Sequence, residues 1–334
     1  MEISAKILTP EDDFISRNIE DYPEGIIIPI NKPYRWTSAD VIRKVKYAAI
    51  RHFGKKNLKV GHAGTLDPLA TGILLVCIGK ATKLAEWLQS HHKEYIAGVT
   101  FGATTPSYDL EKEIDRFFPH EHITAEAVTD ALPAFIGEQD QVAPLFSAKS
   151  VDGVRAYELA RKLHKEGKTL DEAAQELIRT SRINITELEL TAFTAGTTGD
   201  DVENRATPLA AGTSEWFRNS PVDCFNELAR SEGVGGVVFN ITPAVPDGEG
   251  SVNEVSKASS RINVTDNSAL GLPRAEIRMA CSKGTYVRAF ARDLGEALGS
   301  GAHLDSLQRS RSGIFRIENA LTVDKTVSLL SQKE

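Results

Sequence analysis

The stretch Gly61–Gly72, GHAGTLDPLATG, governs the interpretation of this chain. It holds three glycines, one proline, one histidine and a single carboxylate, Asp67. Glycines allow tight backbone conformations, and Pro68 biases Asp67 towards extended backbone. The apolar run Ile73–Gly79, ILLVCIG, follows directly and predicts a buried strand. We therefore expect a rigid loop that enters this strand and holds one acid in a defined place, as catalytic loops do.

A cluster of Gly, Asp and Pro also has a simpler interpretation, a surface turn whose aspartate bonds its own backbone. Against it, the whole string resembles the signature of the TruB family of tRNA pseudouridine-55 synthases. The resemblance implies that Asp67 is the catalytic carboxylate. It also implies a reaction without a cofactor, because isomerising uridine needs neither a redox step nor external energy.

The composition is that of an ordinary globular protein. The chain has 334 residues, of which 41% are hydrophobic and 25% charged, and its length alone suggests two domains. No apolar run approaches a membrane span, and the N-terminus does not resemble a secretory signal. The three cysteines, Cys77, Cys224 and Cys281, lack CxxC spacing, which argues against a disulfide framework or a zinc site. We therefore expect a cytoplasmic protein without a metal.

The net charge of −7 is unevenly distributed. Residues 194–271 contain eleven acids and five bases, so the remainder of the chain is close to neutral. Basic residues cluster in Arg43–Lys59, around Arg155–Lys168 and in Arg309–Arg316. Such runs are more often solvated faces than binding sites, so alone they support RNA binding only weakly.

Hydrophobic periodicity, together with the residues that begin and end helices and strands, predicts the order of the elements. Residues up to about Tyr22 are weakly patterned and predict an N-terminal extension. Strands are predicted at Gly25–Pro33, Ile73–Ile78, Lys93–Gly102, Arg179–Phe193 and Pro273–Cys281. Helices are predicted after a cap at Thr37 or Ser38, over Lys80–His91 and Ile123–Ile136, from Tyr286 onward, and over Thr322–Leu330.

Two later blocks, KEYIAGVTFG and CSKGTYVRAF with the downstream GAHLDSLQR, extend the resemblance. In the family, the tyrosine of the first block stacks on the target uracil and is placed for proton transfer, which implies that role for Tyr95. By the same resemblance, Tyr286 and Leu307 line the uridine pocket and Arg288 pairs with the catalytic carboxylate. His62 is expected to contact the flipped nucleotide. A packed tyrosine, a core leucine or a core histidine would give the same pattern.

A fourth block, Val142–Leu163, resembles the segment that the family uses as a mobile clamp on RNA. It makes Lys149, Arg155 and Arg161 candidate phosphate contacts, although a solvated helix face explains each one equally well. Weaker RNA-binding candidates are Lys32, Lys283 and Arg309.

The chain departs from the family pattern in several places. Arg35 stands where the family normally has glycine, and Phe146 replaces a tyrosine. The segment Ala103–Glu111 lacks the usual T-D-T-x-D, although Asp109 keeps an acid there. About 78 residues, Thr194–Gly271, replace a short turn, which predicts an acidic, partly flexible insert with either a small domain or a docking element in its middle.

We therefore expect a pseudouridine synthase fold of the α/β class, with a central, mostly antiparallel mixed sheet. The catalytic domain is expected to comprise residues 23–193 and 272–334, with an extension at 1–22 before it and the insert at 194–271 within it. The chain would be a short form of the family, without the small RNA-binding PUA domain that many members carry. The expected function is isomerisation of the T-loop uridine of tRNA by a monomer. The alternatives are a synthase of the same fold that acts on another RNA, and a tRNA-folding chaperone or RNA-binding module.

Overall fold

The computed structural model describes residues 3–144, 150–151, 154–155, 180–197, 262 and 264–332. Within them, ten strands form one large sheet and four short ones form two separate two-stranded ribbons. The strands are β1 Lys6–Ile7, β2 Ile26–Lys32, β3 Val60–Ala63, β4 Ala70–Ile78, β5 Lys93–Phe101, β6 Ala103–Thr104, β7 Arg116–Phe117, β8 Gly137–Gln141, β9 Ser150–Val151, β10 Val154–Arg155, β11 Ser181–Thr194, β12 Arg274–Cys281, β13 Ala302–Ser312 and β14 Phe315–Arg316.

The main path of the sheet runs β1-β2-β4-β13-β5-β12-β11-β8, with β3 beside β4 and β14 beside β13. Only the β1–β2 and β4–β13 pairs are parallel among the described strands. This confirms the predicted mixed, mostly antiparallel sheet. The late strand β13 lies between two early ones, β4 and β5, so the loop that carries Asp67 and leads into β4 meets the C-terminal part of the chain.

Five α-helices are described in these ranges: α1 Ser38–Phe53, α2 Ala85–Ser90, α3 Ala125–Ala131, α4 Val287–Ala297 and α5 Val323–Leu329. Thr37 caps α1 in a reciprocal capping box with Asp40, and Gly54 ends the helix in the left-handed conformation. Thr322 caps α5 through the backbone N–H of Lys325. The predicted helices exist, but their boundaries shift, since Gly79–Leu84 and Leu132–Phe135 are 3-10 turns.

The larger hydrophobic cluster lies on one side of the sheet. There α1 contacts β3 and α5, α3 contacts β11, and α4 packs mainly on β13 and also on β5. A second cluster fills the other side of β2 and β4 beneath α2. Cys77 and Cys281 are buried free thiols, as expected for small core residues.

The N-terminal segment is more integrated than an extension. Strand β1 adds to the edge of the sheet beside β2. Leu8 and Ile15 are each 1% exposed within the larger cluster, and His52 of α1 contacts the carbonyl oxygens of Ile15 and Ser16. The buried apolar residues are too widely spaced for their periodicity to reveal this packing. Most of the second half of the block Val142–Leu163, for which a helix face was considered, and the middle of the insert lie outside the described residues.

Candidate active site

The loop Gly64–Leu69 joins β3 to β4 and carries Asp67 at the surface of the sheet. Gly64 in the loop and Gly72 near the start of β4 have φ angles of 90° and 96°, which favour glycine. The residues on either side of the acid are tied down. Ser38 Oγ donates to Leu66 O at 3.1 Å and accepts from its N–H at 3.0 Å. Lys32 Nζ donates to Pro68 O at 3.1 Å. The backbone beneath Asp67 is therefore fixed from both flanks.

Asp67 forms an ion pair with Arg288, which is the second residue of α4. Arg288 Nε donates to Asp67 Oδ2 at 2.9 Å. The arginine side chain is only 6% exposed, whereas the aspartate side chain is 39% exposed. Burial acts to lower the pKa of Arg288, but Asp67, Asp109 and Glu111 outweigh it and raise that pKa. A permanently charged arginine thus holds an accessible carboxylate in a fixed orientation.

A second carboxylate, Asp109, lies on the other side of Arg288. Its Oδ2 is 3.7 Å from Arg288 Nε, and Arg288 Nη1 donates to Ser107 O at 3.0 Å. Ser107 Oγ donates to Asp109 Oδ1 at 2.6 Å. Burial raises the pKa of Asp109, and Arg288 and Ser107 oppose that rise. Asp109 had no predicted role, and the only signal in the sequence was the acid retained in an otherwise divergent segment.

Glu111 adds a third acid behind this pair. Burial, followed by repulsion from Asp109, raises the pKa of Glu111 to about 7, against the opposing effect of Arg288. All three acids act on the charge of the buried Arg288, and the Asp67 side chain, 39% exposed, is more accessible than that of Asp109, which is 7% exposed.

Tyr95 of β5 and His62 of β3 lie on strands that are separated by β4 and β13. Tyr95 of β5 stands opposite Arg309 of β13 and is 9% exposed. Burial raises the pKa of Tyr95 and the Asp67 charge adds to this, while Arg309 opposes it. His62 of β3 is partly buried, and burial followed by the Arg309 charge lowers its pKa. His62 Nδ1 has no hydrogen-bond partner among the described residues.

Tyr286 and Leu307 occupy positions consistent with a pocket wall. Tyr286 is the N-cap residue of α4, two residues before Arg288, which pairs with Asp67. Gln141 fixes its backbone, because Gln141 Oε1 accepts from Tyr286 N–H at 2.8 Å and Gln141 Nε2 donates to Tyr286 O at 3.2 Å. Leu307 is partly buried on β13, next to Ala70 of β4 and Ala97 of β5. The structure thus brings these residues to the strands and helix that border Asp67.

Comparison with known proteins gives a consistent result. Residues 51–203 match the model of the TruB family pseudouridylate synthase N-terminal domain. A protein from Phocaeicola vulgatus named tRNA pseudouridine synthase B is 40% identical over 314 residues, covering 94% of this chain and 97% of the relative. The chain belongs to the TruB family. The Thermus thermophilus member, which has the same name, is 36% identical over 298 residues, covering 88% of this chain and 75% of its own.

Among solved structures, a Cbf5–Nop10–Gar1 complex contains a chain that is 20% identical, with 97% of this chain and 60% of that chain covered and a TM-score of 0.49. A likeness of this size carries no argument about function. Within the described ranges, no helix is long and apolar enough to cross a membrane. The same ranges contain no group of three or more His, Cys, Asp or Glu side chains placed to hold a metal ion.

Two residues predicted to contact RNA in this TruB-family chain are placed differently. Lys32 is fully buried, and its ammonium group donates to the carbonyls of Pro33, Trp36 and Pro68 at 2.9, 2.5 and 3.1 Å. Arg309 is 2% exposed and donates to the carbonyls of the catalytic loop and of Ile73. Direct phosphate contacts do not fit this placement, because neither cation is exposed to a ligand. Both instead hold the catalytic loop.

The other predicted RNA contacts are in mixed positions. Lys283 is exposed in the turn before α4. Lys149 and Arg161 lie outside the described residues, as does the side chain of Arg155, whose backbone forms β10 paired with β9. Their role stays a prediction.

Arg35, which stands where the family normally has glycine, adopts a backbone conformation typical of glycine. Its φ angle is 62°, in the left-handed region that favours glycine. The turn therefore keeps the geometry that the family glycine implies, despite the arginine. Arg35 Nη2 donates to Ile262 O at 2.6 Å, which is a contact to the far end of the insert.

Proposed function

We propose that this protein is a tRNA pseudouridine synthase that isomerises the T-loop uridine, position 55, with Asp67 as the catalytic carboxylate. The observation that carries the proposal is the Asp67–Arg288 pair at 2.9 Å, on the family's signature loop. Relatives named tRNA pseudouridine synthase B, similar over nearly their whole length, support a tRNA substrate.

The reaction requires an accessible carboxylate beside a site that holds a uridine. The C1′–N1 bond breaks, the uracil rotates and a C5–C1′ bond forms. The C5 proton leaves and N1 takes up a proton, so the net change is an isomerisation. Asp67 can act as a nucleophile on the sugar or base, or as a base that removes a sugar proton. Arg288 serves either role, because its Nε donates to Oδ2 and orients the carboxylate, leaving Oδ1 free of that bond.

The pocket residues have separate tasks in this proposal. Tyr95 stacks on the uracil, and its raised pKa keeps the phenol protonated at neutral pH, so it can donate a proton or relay one onward. Tyr286 and Leu307 pack against the other surfaces of the base. His62 stays neutral because its pKa is lowered, which lets its ring meet the flipped nucleotide without adding a cation.

The uridine must leave its stack to reach Asp67. Flipping costs a few kcal/mol, which aromatic stacking and pocket contacts offset. Unpaired loops are the usual targets of sequence-specific RNA recognition, which fits the T-arm of tRNA. Lys283, exposed beside Tyr286, is a candidate phosphate contact at the pocket rim. A monomer in the cytoplasm remains our expectation.

The test is pseudouridine formation on an unmodified tRNA transcript, mapped to the nucleotide. We expect product at the T-loop uridine alone. Product at another site would favour a same-fold synthase with a different RNA target. Tight binding without product, at enzyme in excess over tRNA, would favour a chaperone or binding module instead.

A further inference from the structure

The described end of the insert lies against two loops of the candidate active site. We name residue 262 and residues 264–271 the return segment, since they lead the chain back to β12. At its near end, Thr197 N donates to Gly271 O at 2.8 Å, beside the ends of β11 and β12. From there the segment reaches the Asp109 loop and the turn that contains Arg35.

Three contacts define its path. Arg35 Nη2 donates to Ile262 O at 2.6 Å. Thr265 N donates to Leu110 O at 2.8 Å, next to Asp109. Asn267 Nδ2 lies 3.4 Å from His303 Nε2, and His303 Nδ1 lies 2.9 Å from Ala103 O. Because a carbonyl only accepts, the proton is on Nδ1 and Nε2 accepts from Asn267.

The two loops that it joins hold the two sides of the site. The Arg35 turn lies between Lys32 and Ser38, which bind the backbone on either side of Asp67. The other loop carries Asp109, which faces Arg288. Among the described residues, only Arg35 and Tyr108 are non-glycine residues with positive φ, at 62° and 56°, and one lies on each loop. Strained positions of this kind persist only where surrounding contacts hold them.

We propose that Arg35 is a positioning residue for the proposed reaction: it anchors the return segment, which fixes the Arg35 turn and the Asp109 loop relative to each other. Asp67, Arg288 and Asp109 then keep their spacing when RNA enters. This role rests on the proposed function, but the anchoring can be measured without it. The bond to Ile262 O is made by one terminal nitrogen of a long side chain, so a lysine of similar reach can replace the arginine.

The test compares Arg35→Gly, Arg35→Ala and Arg35→Lys. Glycine removes the anchor and also relieves the backbone strain, whereas alanine removes the anchor and keeps the strain. Lysine keeps a cationic donor. We expect kcat on tRNA to fall about tenfold in both Arg35→Gly and Arg35→Ala, as for loss of one charged hydrogen bond. KM should change less than about twofold, and Arg35→Lys should recover most of kcat.

Hydrogen exchange gives a readout that is independent of catalysis. The Thr265 amide should exchange about tenfold faster in Arg35→Gly, while the melting temperature stays the same or rises. Thr265→Pro removes the backbone N–H that donates to Leu110 O and leaves Arg35 in place. Its effect on kcat should not add to that of Arg35→Gly. Arg316→Ala, which removes an exposed arginine distant in sequence from both loops, is the control.

Unchanged exchange at Thr265, or unchanged kcat in Arg35→Gly, would overturn the proposal. A loss of kcat in Arg35→Ala alone would assign the effect to backbone strain and overturn it too. If wild-type protein makes no pseudouridine, the proposed function fails, whereas the exchange result still decides whether Arg35 anchors the segment.

Discussion

At the scale of single residues, the site is organised by one buried cation among three acids. Arg288 holds Asp67 at 2.9 Å and lies 3.7 Å from Asp109, with Glu111 behind them. Removing a partner from a buried charge costs far more than the pair itself contributes. Asp67 and Asp109 therefore have different tasks, since the Asp67 side chain is 39% exposed and that of Asp109 only 7%.

Asp67→Asn should abolish turnover, since the amide is neither a nucleophile nor a base. We expect kcat to fall by at least about 10⁴-fold, and tRNA affinity to change by less than about threefold, because size and loop contacts are kept. Single-turnover assays and filter binding would measure both. Asp130→Asn, on the exposed face of α3, is the matched control. Residual turnover near that of wild type would remove Asp67 from its proposed role.

Glu111 makes stability depend on pH. Its pKa of about 7 lies above the usual 4.5, so between these values the folded protein keeps a proton that the unfolded chain has released. The free energy of unfolding should therefore decrease as pH rises from 4.5 to 7. When the free energy of unfolding is measured by urea titration, this decrease should be smaller by about 2 kcal/mol in Glu111→Gln. Its exposed neighbour Glu113→Gln should behave like wild type, and equal slopes in all three proteins would refute the assignment.

At the scale of elements, the catalytic loop depends on the contact between β4 and β13. Gly72, the third residue of β4, has a φ angle of 96° and lies against the backbone of Arg309. Arg309 in turn donates to the carbonyls of Gly64, Thr65 and Ile73. Loop and strand thus form one unit, and the position of Asp67 is set by a strand more than 200 residues later in the sequence.

Gly72→Ala tests this unit. A methyl group there would clash with the Arg309 backbone and require an unfavourable φ, so we expect a loss of about 3 kcal/mol in the free energy of unfolding. Gly61→Ala, in the same stretch, meets no atom within 4 Å and should change stability by less than about 1 kcal/mol. Chemical denaturation of both variants measures the difference. Comparable losses would show that the contact with β13 is not what constrains the loop.

The sequence predicted local features well and distant partners poorly. Tyr95, Tyr286 and Arg288 fell on the predicted strand and helix because their motifs are contiguous. Lys32 and Arg309 looked like surface cations, since a basic side chain gives no sign that backbone carbonyls from elsewhere will surround it. The position of the Asp109 loop depends on β13 and on the return segment, which no local pattern encodes.

At the scale of the whole molecule, the large sheet unites the two halves of the catalytic domain around the insert. Strands β11 and β12 pair from Ile185 with Cys281 to Thr194 with Arg274, so the chain leaves and re-enters the sheet at neighbouring positions. A loop between adjacent strand ends can vary in length at little cost. The insert therefore need not disturb the sheet, but its return segment contacts the site.

Replacing residues 198–261 with a flexible linker of about ten residues should leave a folded, active enzyme. We expect the melting temperature to change by less than about 4 °C and kcat by less than about threefold, because the return segment is kept. Removing all of Thr194–Gly271 should also leave a folded protein, with kcat reduced like that of Arg35→Gly. A loss of cooperative unfolding in the shorter deletion would show that the sheet depends on residues 198–261.

The pairing of Arg288 and Arg309 with the catalytic loop also constrains how the protein is made. These contacts join residues separated by 221 and 245 positions. During synthesis, Asp67 leaves the ribosome long before the arginines that hold it. Such non-local contacts slow folding, although each doubling of the intervening chain adds only about 0.6 kcal/mol of closure cost. The nascent protein therefore acquires a catalytic centre only when its last strands have been translated.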